Sequence, residues 1–292
     1  MDIPKVFGER FTVGEQIVKR PNCIVYKGTD GKLGDREVAI KVFLDQPVGS
    51  QEWINEFNED IQRLRSTSHQ SLVPIVGGGC ENDWFYLVME LISGNSLREV
   101  LKEHAAPLST ETAVSIFSEL AAGLRDLHEN QVWHGHIDSR AVLFKGDSVR
   151  LAGYYPRVIA KIQKSKSSDG RMVVEPAYIA PEQITGTNPD HRADIFALAV
   201  LLFEMVTGKR PFEADNPVQC ALLRLSKEPP RPAKLNPALP PLLDAAIMKG
   251  LVRDPNERYS SVAEFVEAVT GGKKQAQNPL SDMAGDTGVQ MT

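Results

Sequence analysis

The stretch WHGHIDSRAVLFKGDSVRLAGYY, residues 133–155, decides how this chain is read. Its centre, VLF and VRLA on either side of KGDS, alternates branched apolar residues around a turn and predicts a β-hairpin. A polar loop precedes the hairpin, with His134, His136 and Asp138 at alternate positions, and Gly153, Tyr154 and Tyr155 follow it. On both sides lie runs with helical periodicity: SLREVLKEH and STETAVSIFSELAAGLRDLHEN before it, then ADIFALAVLLFEMVTG, NPVQCALLRLS, PPLLDAAIMKGLV and SVAEFVEAVT. The first third differs. RFTVGEQIV, CIVYKGTD, REVAIKVFL, LVPIVGGGC and WFYLVMEL read as strands, and one stretch among them spaces Trp53, Ile54, Phe57, Ile61 and Leu64 along a helix face. The prediction is an α+β protein with a β-rich lobe carrying one helix, followed by a helical lobe. The segments are 1–9 as an extension, 10–92 as the β-rich lobe, 93–270 as the helical lobe, and 271–292 as a disordered tail or linker.

Composition narrows the function classes. The 292 residues are 42% apolar, enough for a sizeable core. A net charge of −5 gives no global reason to expect nucleic acid or an anionic membrane as partner. Cys23, Cys80 and Cys220 are too few and too scattered for a disulfide framework or a paired-cysteine metal site, so a reducing, cytoplasmic home is expected. The start lacks a secretory leader. The apolar run from Ile195 to Val206 is too short to span a bilayer and reads as a buried helix.

VAIK at 38–41, YLVMEL at 86–91, YIAPEQ at 178–183, the run at 193–212 and DPNERYSS at 254–261 occur in the order found in eukaryotic-like protein kinases. The Pro-rich stretch PPRPAKLNPALPPLLDAAI is most similar to the bacterial Ser/Thr members. The resemblance covers about residues 10–270 and implies a two-lobed kinase fold. It also implies working parts that position phosphates and neutralise their charge: a glycine-rich loop, a strand lysine held by a helix acid, two metal-holding side chains and a catalytic aspartate.

Position by position, the resemblance places other residues at most of these parts. Val18, Arg20 and Cys23 stand at the glycine positions that let backbone amides approach phosphates, and Pro21 removes a donor. Lys41 matches the strand lysine and Asp60 the helix acid, from which an ion pair tying helix to sheet is expected; Glu59 is the neighbouring alternative. His134 takes the loop histidine position, Gly135 the arginine, His136 the catalytic aspartate and Ala141 the metal-binding asparagine. Asp138 reverses the charge of the usual basic residue. A rival register using His136-Ile137-Asp138 pushes Lys145 onto an apolar strand position and is rejected. Gly153, Tyr154 and Tyr155 replace Asp-Phe-Gly, so no Mg²⁺ is expected and ATP binding is expected to be weak or absent. The ligand types of His134, His136 and Asp138 suit a transition metal, but alternate loop residues need not converge, and no metal is expected. His136 is able to accept a proton near neutral pH, yet base catalysis supplies only about 10²–10⁴-fold.

The resemblance also implies retained structure. Val25, Ala39 and Leu143 match adenine-facing positions, Met89 the gatekeeper and Glu90 the start of the interlobe connector; these would serve a nucleotide if one binds. Asp194 matches the aspartate that anchors the catalytic loop, Tyr154 the packed phenylalanine, and Glu182 with Arg258 a buried ion pair. The segment RVIAKIQKSKSSDGRM reads as a solvated loop, or as a docking or phosphorylation surface at Ser165, Ser167 and Ser168. The expectation is a pseudokinase that serves a protein partner as scaffold or allosteric regulator. The alternatives are a weakly active Ser/Thr kinase and a nucleotide-binding switch without turnover.

Overall fold

The computed structural model describes residues 3–44, 50–104, 107–156, 158–159, 161, 177–187, 189–214 and 216–273. The three serines and the sequence beyond 273 lie outside the described residues. The chain is α+β. A six-stranded antiparallel sheet in the order β1-β2-β3-β4-β6-β5 is built from Val6–Phe7, Phe11–Lys19, Cys23–Asp30, Arg36–Phe43, Trp84–Glu90 and Ile75–Glu81 respectively. Helix α1, Gln51–Ser66, starts where the Ser50 hydroxyl accepts from the Trp53 amide and packs Phe57, Ile61 and Leu64 inward. The first nine residues, read as an extension, contribute β1: Phe7 is fully buried and its ring stacks 4.3 Å from that of Tyr86. The sheet thereby encloses a second apolar core of Phe7, Phe11, Ile40, Val42, Tyr86 and Val88.

The second lobe is helical, with α2 Leu97–His104, α3 Thr110–Glu129, α4 Pro181–Thr185, α5 Arg192–Thr207, α6 Pro217–Ser226, α7 Pro232–Leu235, α8 Pro241–Gly250 and α9 Val262–Thr270. Helix α5 is apolar nearly all round and is buried on every side, as such a helix must be in water. It ends at Gly208, whose φ of 68° needs a residue without a Cβ. No helix among the described residues is long and apolar enough to cross a membrane. The predicted hairpin is β7, Val142–Lys145, paired with β8, Ser148–Leu151. The β-rich lobe rests on it through the Val73 amide, which donates to Leu151 O, and the Leu151 amide, which donates to Ser71 O. At the lobe junction the backbone of Gly94 lies so close to β7 that a Cβ there falls 1.9 Å from Phe144 O. Gly94→Ala is expected to cost about 1–3 kcal/mol of stability, read by urea unfolding, because one strand must move to admit the methyl.

Candidate functional site

The loop 133–141 is shaped by carboxylates, each placed by a different element. Asp194, in the first turn of α5, accepts from the amides of His134 (2.8 Å) and Gly135 (2.9 Å) and from His128 Nε2 (2.9 Å). Burial alone would raise its pKa, but these donors hold it below the usual carboxylate range. Gly135 adopts φ +74°, which lets consecutive amides face one carboxylate. Asp138 is fully buried and closes the loop locally: Oδ1 accepts from the amides of Arg140 (2.8 Å) and Ala141 (2.9 Å), while Arg140 Nη2 reaches Oδ2 at 2.7 Å. Burial works against its charge, yet His136 and Arg140 hold its pKa down to about 2.

The two loop histidines have different surroundings. His134 Nε2 donates to Ala152 O (2.9 Å) and Nδ1 accepts from the His136 amide (3.3 Å), so both ring nitrogens are committed to the fold and to one tautomer. Its ring meets Tyr154 edge-on at 6.2 Å. His136 is equally buried, but its Nε2 has no hydrogen-bond partner and lies 3.7 Å from Asp138 Oδ2. Burial pushes His134 down to about 4 and His136 to about 3, so both are neutral at pH 7. Among the described residues no group of three or more His, Cys, Asp or Glu is arranged to hold a metal ion.

Across the cleft, Lys41 on β4 corrects one expectation. Its ammonium makes no ion pair with Asp60 among the described residues; it donates instead to the carbonyls of Tyr154 (2.9 Å) and Gly153 (3.2 Å). The short aspartate arm leaves this ammonium to the turn, which rises beneath β4 with Gly153 at φ +84°. Asp60 is itself buried on α1, and the alternative, Glu59, faces Arg63 at 3.8 Å. Burial pushes the Lys41 pKa down to about 8, and Arg20 in the β2–β3 turn adds to the fall. Aromatic rings complete the enclosure: Lys41 Nζ lies 4.9 Å from the Phe43 centroid and 5.4 Å from that of Tyr155.

Tyr155 was not singled out in the sequence, and it fills the space that the turn encloses. Its ring packs edge-on against Phe43 from above (5.8 Å) and His136 from below (5.9 Å). A bulky residue where a turn glycine is expected was the available signal. Beside it, Ala141 and Gly153 face each other so closely that a Cβ on Gly153 would lie 3.3 Å from the Ala141 methyl.

The other predicted positions surround this centre. Ala39 and Met89 are buried and pair directly across β4 and β6, while Val25 and Leu143 are half-buried. Behind Met89 a cavity of about 30 Å³ has room for about one water. Glu90 is held by Lys145 at 2.5 Å, a clasp across the lobe junction. Glu182 and Arg258 form a bidentate pair, both contacts 2.7 Å. Two features carried no sequence signal. Arg224 on α6 is buried against Phe212 and Phe196 and donates to Ile179 O at 2.6 Å, and Tyr178 bridges Ser139 and Glu204 through its hydroxyl.

A family model described as protein kinase domain matches residues 21–269. Among curated relatives, a probable serine/threonine-protein kinase of Clostridium perfringens is 27% identical over 290 residues, covering 99% of this chain and 42% of that protein. PknL of Mycobacterium tuberculosis is 30% identical over 252 residues, 86% of this chain and 62% of its own length. The chain thus spans only part of the length of these relatives. Among solved structures, the Mycobacterium tuberculosis PknI kinase domain superposes with a TM-score of 0.72 at 19% identity, covering 94% of this chain and all of that domain, a likeness in fold.

Proposed function

This chain belongs to the protein kinase domain family, among the bacterial serine/threonine kinases, and from that premise we propose that it is a pseudokinase, a regulator or scaffold for a protein partner. One observation carries the reading: the cleft of the family's chemistry is occupied by the chain's own groups, with Lys41 bound to the carbonyls of Gly153 and Tyr154 and the Tyr155 ring enclosed between Phe43 and His136. Phosphoryl transfer rests on positioning and on neutralising charge on the transferring group. Ala141 and Gly153 present no ligand atom to a metal from their side chains, and Lys41 is already engaged. Mg·ATP does not fit these residues, and no catalytic step is derived through it. Three free cysteines suit a reducing, cytoplasmic setting.

The observation that favours the alternative, a weakly active Ser/Thr kinase, is the unpartnered His136 Nε2 beside Asp138. Titration calorimetry with ATP, with and without Mg²⁺, separates the readings when paired with radiolabel transfer. The native chain is expected to give no saturable heat at millimolar ATP and no transfer. Tyr155→Gly, which empties the space between Phe43 and His136, is expected to gain metal-independent ATP binding, still without transfer. Mg²⁺-dependent transfer by the native chain that disappears in Lys41→Met would sink the pseudokinase reading.

A further inference from the structure

A second cleft lies on the far side of the β-rich lobe, where the curled sheet meets helix α1. Its volume is about 420 Å³. One wall is the helix face carrying Gln62 and Arg65; the other is the β1–β2 connection with Arg10, the turn carrying Lys32, and the Gly77–Gly78 backbone of β5. Gly77 and Gly78 are required there, since a Cβ would fall 3.0 Å from the Phe11 ring in the first case and 2.8 Å from Tyr86 O in the second. That wall therefore presents backbone rather than side chains.

The chemistry of the lining is one-sided. Cationic and neutral donor groups line the cleft, and no carboxylate does so among the described residues. Arg10 is engaged by the buried Asp30 at 2.6 Å, whereas Lys32 and Arg65 have no ion-pair partner among the described residues. The carboxylate of Glu81, at the end of β5, is taken by the Gly8 amide (2.5 Å). Tyr86 supplies an independent observation: the residue is only 6% exposed and lines the cleft, yet its hydroxyl has no hydrogen-bond partner among the described residues. A polar group so nearly enclosed calls for an acceptor.

We propose that this cleft binds a phosphate monoester, held by Lys32 and Arg65 with the Tyr86 hydroxyl and the Gln62 amide as neutral donors. A cation is disfavoured by the absence of lining carboxylates, and an apolar ligand by the donors it would leave unpaired. A phosphate monoester carries close to two negative charges and several acceptor oxygens, which matches two available cations and neutral donors together. The inference goes beyond the proposed function, since it stands whether or not the interlobe cleft transfers phosphate.

Titration calorimetry at low ionic strength, with inorganic phosphate and with a phosphoserine peptide of otherwise neutral sequence, tests it. Saturable binding is expected, weakened about tenfold or more in Lys32→Ala/Arg65→Ala and severalfold in Tyr86→Phe, which keeps the packed ring, and reduced by added salt. A peptide that binds more tightly than phosphate supports the site and identifies a phosphoprotein source; equal affinities support it with a free phosphate compound as source. No saturable heat with either probe overturns the proposal. So does binding that survives the double variant and is lost in Lys41→Met, which places the anion between the lobes.

Discussion

Arg258→Met is expected to lower the unfolding free energy by about 3–5 kcal/mol, measured by urea denaturation, because it leaves the Glu182 carboxylate buried without a counter-charge. The pair is bidentate, and Arg258 also donates to the carbonyls of Val252 (2.7 Å), Arg253 (2.9 Å) and Arg192 (3.0 Å). One guanidinium therefore joins α4, the start of α5 and the segment before α9. The phenyl ring of Phe196, 4.9 Å from the guanidinium carbon, packs against it. Replacing both partners, Glu182→Leu with Arg258→Met, is expected to cost less than Arg258→Met alone, since no charge is then stranded. A double variant as unstable as the sum of the singles would mean that the carbonyl contacts, rather than the ion pair, dominate.

The contrast between Arg258 and Lys41 explains how far the sequence can be read. The lobe division was legible because period-two and helical patterns are local properties, and α5 was legible because an apolar run too short for a membrane must be a buried helix. Asp194 could be assigned from its place at the start of that helix: its geometry toward the loop amides follows from backbone position. Lys41 could be placed on its strand, but not paired, since its partner depends on where a distant turn places two carbonyls. Tyr155 posed the same problem, because a tyrosine after a glycine reads equally as an exposed turn residue or as a ring driven into a cleft. Arg224 shows the limit most plainly. On a helix surface an arginine ordinarily reaches solvent, and only the aromatic surroundings of Phe196 and Phe212, distant in sequence, reveal it as buried.

Stability is expected to fall steeply as the pH drops from about 6.5 toward 4, because His134 and His136 are buried in neutral form. In the unfolded chain both titrate near 6.5, whereas in the fold they titrate at about 4 and about 3. Below pH 6.5 the unfolded state therefore takes up protons that the native state refuses, and the loss continues until the folded values are reached. The difference is on the order of 3–5 kcal/mol for each histidine by the time both native values are passed. Asp138 acts later in the same direction: its folded value of about 2 lies below the unfolded range near 3.9, so its contribution is present above about pH 4 and is lost as pH falls through 2. Lys41 and Arg20 lower the pKa of His136, Asp138 raises it, and burial outweighs them all. Urea unfolding at pH 7, 6 and 5 measures the slope directly. His136→Gln, neutral at every pH, is expected to flatten that slope by about one proton's worth. Equal slopes in the native chain and the variant would instead mean that a proton enters the cleft without unfolding it, and that the His136–Asp138 pair accepts a charge in the folded state.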